Sequence, residues 1–487
     1  MGLGSNLPKE AVVRTSFARY SAPMVDRRDV AQLTIVALPD IALLEIFDFC
    51  LYEVQTEAWH TLVHVCRKWR NIVFGSPHRL DLRLYCTAST PVTELLDVWP
   101  PLPIVIRVSG HDMGRWGMDN LIAALEHNNR ICDLNLWRIP NLQWENVLSA
   151  MQEPLPVLTR LELRTRGEIA PVIPTSFLGG STPRLQTLFL DRIPFPGLPK
   201  LLLSATQLAD LRLWNIPHSG YISPDAMVTS LSVLTGLERL VIEFESPRSR
   251  PAWRSRRPPP STRTLLPVLA KLRFNGVSEY LEDLVALIDA PLLRNLDISF
   301  FHQLTFETPQ LTQFVSRSPK FESRDQARVV FYSSDVSISL PQPLDGVLEL
   351  RISCREPEWQ LSALAQVCSS PFSMALIPAV ERLYIHAGLS QLNWQDDFES
   401  SQWLELFQSF TFVKDLYISR ELVSLIARAL RELVGERATE VLPALQTLFL
   451  EEIRPLWSEE EAIGQFVAAR QFSNHPIAIS RWERKRF

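Results

Sequence analysis

Residues 158–163 read L-T-R-L-E-L, and the same figure returns as L-Q-T-L-F-L at 185–190, L-A-D-L-R-L at 208–213 and L-E-R-L-V-I at 237–242. In an extended strand successive side chains point to opposite faces. The last two apolar residues of each figure therefore share one face, and the residue between them looks the other way. Upstream the figure occurs as I-C-D-L-N-L at 131–136. Downstream it occurs as L-A-K-L-R-F at 269–274, L-R-N-L-D-I at 293–298, V-E-R-L-Y-I at 380–385, V-K-D-L-Y-I at 413–418 and L-Q-T-L-F-L at 445–450. The central leucines Leu134, Leu161, Leu188, Leu211, Leu240, Leu272 and Leu296 are separated by 27, 27, 23, 29, 32 and 24 residues, and Leu383, Leu416 and Leu448 by 33 and 32. Helical patterns occupy the intervals, at 120–128, 224–234, 281–288, 422–433 and 459–470. A strand–helix unit of this size cannot cover its own apolar face, so neighbours must stack to bury it.

This spacing is the mark of a leucine-rich-repeat-like solenoid, and the fold class is α/β, with the solenoid running over 81–480. The stretch between Leu296 and Leu383 is close to three periods long and holds β-rich runs at 328–332, 336–340 and 347–352, which read as degenerate repeats. The Asn expected five residues after the central leucine is replaced by Ile139, Ile193, Ile216 and Ile453. An Ile-Pro pair at the first three of these positions is expected to end the strand by an apolar contact and a fixed φ, giving irregular curvature.

The chain before the repeats has a different texture. Residues 1–34 form an N-terminal extension without a continuous apolar core. Pro39 stands where a helix begins, and Ile41, Leu44, Phe47 and Leu51 recur at helical spacing, with Leu43 and Ile46 widening the stripe, so a helix spans about 39–52. Trp59, Leu62, Cys66, Trp69 and Val73 mark a second helical stretch, broken near Val65 and stopped by Gly75, Ser76 and Pro77. A unit this small buries too little surface to stand alone, so its apolar surplus requires a neighbour.

The run L-P-D-I-A-L-L-E-I-F at 38–47, followed by V-C-R-K-W-R at 65–70, resembles the F-box, which would occupy 35–80. The departure from that family lies at 52–56, which replaces its usual Asp-Leu turn. The resemblance implies docking onto the Skp-type adaptor of a cullin-RING ubiquitin ligase through Leu38, Pro39, Leu43, Ile46, Phe47, Val65, Cys66 and Trp69. A short helical module of this kind followed by irregular leucine-rich units is also similar, over nearly the full length, to the large F-box sets of mushroom-forming fungi. The implied function is that of a non-catalytic substrate receptor for a protein target, the alternative being an interaction scaffold that does not work through a ubiquitin ligase.

Composition narrows the remaining possibilities. The chain has 487 residues, 49 basic against 54 acidic, a net charge of −5 and 46% hydrophobic residues. Bulk charge does not fit a nucleic-acid binder. Gly is scarce at 17, which disfavours glycine-built phosphate loops. The six cysteines are scattered without a C-x-x-C, so neither a disulfide framework nor a zinc knuckle is expected, and the cytosol or nucleus fits best. Asn6 stands where a myristoylation signal needs Ser or Thr. The longest uncharged stretch, 359–380, is interrupted by Pro371 and Pro378, so no membrane span is expected. His60 and His64 are spaced as on a zinc-binding helix, but Thr61 takes the place of the glutamate that such a motif needs. G-x-S-x-G, G-x-x-x-x-G-K-[ST] and G-x-G-x-x-G are absent from the sequence, and the pair Asp396 and Asp397 lies in a polar loop. Neither an enzyme nor a cofactor is expected.

Two features remain. The insert at 247–263 carries six arginines, no acid and the run Pro258-Pro259-Pro260, and reads as a solvated loop or a basic docking segment; the basic tail 481–487 is similar. The residues between the strand leucines are Asn135, Glu162, Phe189, Arg212, Val241, Arg273, Asp297, Tyr384, Tyr417 and Phe449. With the flanking Trp137 and Trp214, this face gathers the aromatics Trp137, Phe189, Trp214, Tyr384, Tyr417 and Phe449, which are candidate target-binding residues because aromatics anchor interfaces. Seven basic against eight acidic residues on the same strands disfavour a nucleic-acid track.

Overall fold

The computed structural model describes residues 35, 38–53, 58–89, 91–110, 115–166, 171–249, 262–301, 307–321, 324–341, 346–354, 357–370, 377–388, 400–433, 435–451 and 457–483. The extension 1–34, most of the Arg/Pro-rich insert, Asp396, Asp397, Ile453 and residues 484–487 lie outside the described residues. The chain divides into two units, Met1–Leu82 and Arg83–Phe487.

The first unit holds α1 (Asp40–Glu53), α2 (Ala58–Val65) and α3 (Arg67–Gly75). Leu43 N–H donates to the Pro39 carbonyl, which begins the first turn of α1. The break between α2 and α3 is Cys66, held extended at φ −159° and ψ 168°. Arg70 Nε donates to the Val63 carbonyl at 3.0 Å, satisfying one of the acceptors that the end of α2 leaves without a helical partner. Leu43, Phe47, Trp59, Val63 and Val73 form the interior, with Phe47 against Trp69 at a ring separation of 4.7 Å.

The second unit contains β1 (Leu84–Cys86), β2 (Ile104–Ser109), β3 (Ile131–Trp137), β4 (Arg160–Arg164), β5 (Thr187–Asp191), β6 (Asp210–Ile216), β7 (Arg239–Phe244), β8 (Thr264–Leu265), β9 (Lys271–Gly276), β10 (Ile288–Asp289), β11 (Asn295–Phe301), β12 (Gln326–Phe331), β13 (Asp335–Pro341), β14 (Val347–Ser353), β15 (Arg382–Ala387), β16 (Asp415–Ile418), β17 (Thr447–Glu451) and β18 (Ala478–Trp482). Apart from the small β8–β10 pair, they form one sheet in the order β1-β2-β3-β4-β5-β6-β7-β9-β11-β14-β13-β12-β15-β16-β17-β18. Every L-x-x-L-x-L figure contributes a strand. Leu161 stands opposite Leu134 and Leu188, and the row continues through Leu211, Leu240 and Leu272 to Leu296. These leucines are at most 1% exposed. Burying each contributes about 1.5–3 kcal/mol. The unit is thus a leucine-rich-repeat-like α/β solenoid, with helices such as Arg115–Leu125, Pro224–Leu231, Ser278–Leu287, Val423–Arg431 and Trp457–Phe472 in the intervals. Helices at Asn141–Ala150, Leu198–Ser204, Pro309–Ser316 and Ser400–Gln408 go beyond the sequence expectations, whereas Pro357–Ser369 is the helix read at the start of the uncharged stretch 359–380.

The stretch between Leu296 and Leu383 differs from the three degenerate repeats expected there. β13 pairs antiparallel with both β12 and β14, and the chain passes β11 to β12 three places away before returning. The reason is connection length: residues 332–334 and 342–346 join these strands, whereas a parallel crossover needs roughly a dozen residues. The tight turn at 332–335 is closed by Tyr332 N–H donating to the Asp335 carbonyl. At the other end, β18 includes Arg481 and Trp482, which the sequence had assigned to the basic tail.

The Ile-Pro strand ends have an additional device. Arg138, Arg192 and Asn215, each immediately before the isoleucine, adopt left-handed φ values of 57°, 59° and 49°. The backbone turns there, and Ile139, Ile193 and Ile216 drop into the core at 3%, 5% and 8% exposure. Gly110 lies against this turn: a Cβ placed on it would come within 1.7 Å of the Arg138 carbonyl oxygen.

Among the described residues no helix is long and apolar enough to cross a membrane. The six cysteines are free thiols.

Gly110→Ala is expected to cost about 1–3 kcal/mol through overpacking against a backbone carbonyl that cannot yield. Gly236→Ala, where a Cβ meets nothing within 4 Å, should stay within about 0.5 kcal/mol of the parent. Urea unfolding of the two variants measures the contrast.

Candidate functional site

The register that aligns the leucines also aligns the residues between them. Asn135, Glu162, Phe189, Arg212, Val241, Arg273 and Asp297 stand side by side across β3 to β11, and Arg328, Tyr384, Tyr417 and Phe449 across β12 to β17. Strands in a sheet lie about 4.8 Å apart, so long side chains in such a row lie against one another.

In the first stretch the row is knitted by charge. Glu162, only 4% exposed, accepts from Asn135 Nδ2 at 2.9 Å and Arg164 Nη2 at 2.8 Å, and also pairs with Arg160. Burial pushes the Glu162 carboxyl up, but the two guanidinium groups outweigh it and hold the group below its ordinary value. Asp210 binds Arg212 and Arg239, and Arg273 lies between Glu243 at 2.8 Å and Asp297 at 3.4 Å. Burial pushes the carboxyls of Glu243 and Asp297 above their ordinary range. These charges satisfy one another.

This packing covers one expected target residue. Phe189 is 3% exposed, because the Arg164 guanidinium stacks over its ring at 4.2 Å and the Trp214 ring meets it edge-on at 5.0 Å. Trp214 is half-buried, while Trp137 remains 36% exposed, with the guanidinium of Arg138 at 4.4 Å from its ring.

In the second stretch the row becomes a stack of rings. Tyr384 and Tyr417 lie 4.2 Å apart at 13°, and Tyr417 and Phe449 4.3 Å apart at 6°. Arg328 sits 5.9 Å from the Tyr384 ring at one end. Trp482 meets Tyr417 edge-on at 5.6 Å and donates its Nε1–H to the Ile418 carbonyl at 3.4 Å. Burial first, then Tyr384 and Asp415, push the Tyr417 hydroxyl up to about 12, so it stays protonated at neutral pH. All three stacked residues are half-buried rather than free in solvent. Trp482 and Arg328 were not anticipated, since neither belongs to an L-x-x-L-x-L figure.

In the first unit, Pro39 is exposed, Ile46 is 40% and Val65 58% exposed, and Leu38, Cys66 and Trp69 are half-buried. Leu43 and Phe47 lie at interior positions at 0% exposure: one helical turn apart, they occupy the inner side of α1 and hold it in place. Ile41 and Phe49, 70% and 65% exposed, lie on its outer side.

His60 packs its ring against Trp59 at 3.9 Å, and among the described residues no group of three or more His, Cys, Asp or Glu could hold a metal ion. Burial pushes the Cys368 thiol up, which makes it unreactive.

No family model matches the chain, and no curated protein matches it. Among solved structures it is similar to the leucine-rich repeat-containing protein LegL7 from Legionella pneumophila, at 14% identity and a TM-score of 0.27, over 79% of this chain and 97% of that one. It is also similar to the TLR13–ssRNA13 complex, at 13% identity and a TM-score of 0.30, over 82% of this chain and 49% of that one. The strand order and register described above define the fold independently of these likenesses.

Glu162→Gln should cost about 1–3 kcal/mol at neutral pH, because two guanidinium groups lose their buried partner. A depressed carboxyl stabilises the fold above its ordinary value of 4.5 and loses that contribution as pH falls through its lower folded value. Thermal melts of parent and variant should therefore converge below pH 4.5. Separately, Tyr417→Ala removes the middle ring of the stack and should cost about 1–3 kcal/mol, more than Phe449→Ala at its end. Chemical denaturation of both variants decides the order.

Proposed function

We propose that the chain is a non-catalytic substrate receptor. Its N-terminal helices dock a Skp-type adaptor, and through it a cullin, while the repeat face holds a protein target. The observation that carries this reading is the outer side of α1. A surface helix turns its polar residues to solvent, and Asp40, Glu45 and Asp48 of α1 are exposed. Yet Ile41, Ile46 and Phe49 face outward while Leu43 and Phe47 fill the inner side, and Val65 at the end of α2 is exposed as well. Such apolar surface asks for a protein partner, and the sequence around it resembles the F-box.

The target-facing part rests on Trp137, Tyr384, Tyr417 and Phe449, joined by Trp482; rings with polar edges anchor protein interfaces. The self-paired carboxylates and guanidinium groups across β4 to β11 leave no single-signed track for nucleic acid. Six free thiols fit a reducing compartment, the cytosol or nucleus.

The adaptor reading is tested by co-purification of the adaptor and cullin with the full chain and with Ile46→Asp/Val65→Asp. Both positions are exposed, so the double variant should keep its melting temperature within a few degrees and lose about tenfold or more in adaptor affinity. Equal recovery of the adaptor by parent and variant, or no recovery by either, would remove the ligase role and leave an interaction scaffold.

A further inference from the structure

At its last strand the solenoid keeps an open edge. Among the described residues β18 pairs with β17 alone, so one side of its backbone has no strand beside it. Ile479 stands opposite Leu448, which stands opposite Leu416, and so holds the next place in the inward leucine row. Leu416 and Leu448 are 0% exposed, whereas Ile479 is 51% exposed, because the row stops there. The last helix, Trp457–Phe472, closes on a phenylalanine that is 91% exposed. Terminal units of repeat proteins ordinarily turn a polar face outward. A strand edge that carries apolar side chains is instead a template for pairing.

Backbone alternation decides which groups point to that edge. Ala478 N–H donates to the Gln446 carbonyl at 2.8 Å, on the β17 side. Successive residues of a strand aim their N–H and C=O groups to opposite sides, so those of Ile477, Ile479 and Arg481 aim at the open edge. A parallel strand added in the register of β17 would enclose the exposed Arg481, the neighbour of Leu450, in the apolar face. An edge charge of that kind resists such addition. A second copy turned about a two-fold axis meets no such barrier. With the axis at Ile479, the two Ile479 residues exchange hydrogen bonds, Ala478 meets the second copy's Ser480, and Arg481 meets its Ile477 at the end of the ladder. With the axis at Arg481, two guanidinium groups would stand directly opposite, which is destabilising. With the axis at Ser480, each Ile479 would face an arginine. The first register joins apolar to apolar and carries the inward row from Leu448 and Ile479 of one copy into Ile479 and Leu448 of the other.

From this arrangement we propose that β18 is a self-association edge, at which two copies of the chain pair antiparallel about a two-fold axis through Ile479. The contact uses the same patch on both copies, so it closes at a dimer. Three outward residues on each strand give about six main-chain hydrogen bonds. The axis is perpendicular to the sheet, which keeps both helix layers on one side and both ring faces on the other. Phe449 and Trp482 of one copy then share a continuous sheet surface with those of the second. The inference does not rest on the proposed function, because self-association is a property of the chain alone.

The experiment is sedimentation velocity on the full chain over about 1–300 μM, which should show a monomer–dimer equilibrium with a Kd of about 1–100 μM, as suits a small interface. Ile479→Lys sets two ammonium groups opposite each other and should weaken the dimer about tenfold or more. The position is half exposed, so the melting temperature should stay within a few degrees of the parent. Ile479→Cys keeps the test decisive if the lysine variant folds poorly. Opposed Cα atoms of a hydrogen-bonded pair lie about 5.5 Å apart, within reach of a disulfide. Mild oxidation should therefore cross-link Ile479→Cys well beyond the parent, which carries the same six free thiols. Ala478→Cys, whose symmetry mate is displaced along the strand, should cross-link no more than the parent. A chain that stays monomeric throughout, a dimer that Ile479→Lys leaves intact, or equal cross-linking at the two cysteine positions would overturn the proposal.

Discussion

Everything in the second unit depends on leucine standing opposite leucine across a parallel backbone ladder. Leu134, Leu161, Leu188, Leu211, Leu240, Leu272 and Leu296 form one inward row, and Leu383, Leu416 and Leu448 another. A one-residue slip of any strand would turn its leucines outward and its polar residues into the core. The register is therefore held by the hydrophobic effect, and the residue between two leucines has no choice of face. In this way the core decides which side chains become neighbours on the opposite surface.

That surface has two chemistries, separated by the antiparallel strand β13. Across β4 to β11 the neighbours are carboxylates and guanidinium groups that neutralise each other, with Phe189 sealed beneath Arg164. Across β15 to β17 the neighbours are rings, and ladder spacing brings them to 4.2–4.3 Å, the separation of stacked aromatics. The first stretch spends its polar groups internally. The second presents ring edges.

Much of this was legible in the sequence, for a physical reason. The L-x-L alternation reports directly on strand faces, so all ten figures form strands and the inward leucines lie in the core. Elements without that alternation were harder to find. β2, I-V-I-R-V-S, belongs to no figure, and the short helix Leu198–Ser204 has little room for a periodic pattern. The antiparallel turn at 332–335 was readable in principle, since connections of that length exclude a parallel crossover, but spacing counted from leucines alone conceals the reversal. Burial of Phe189 could not be read from its own strand, because the covering group comes from the strand beside it. Similarly, helical spacing marks Leu43, Ile46 and Phe47 alike as apolar, and only packing separates the interior pair from the outward Ile46. The left-handed turns at Arg138, Arg192 and Asn215 carry no glycine to announce them.

The most direct test of the shared leucine row is hydrogen exchange followed by mass spectrometry on Leu272→Ala in β9, which has a row leucine on either side, Leu240 and Leu296. A cavity at that position should cost about 2–5 kcal/mol. If the strands stand or fall through their neighbours, amides of β7, β9 and β11 should lose protection together and by similar factors. Faster exchange confined to β9, with β7 and β11 protected as in the parent, would contradict the account.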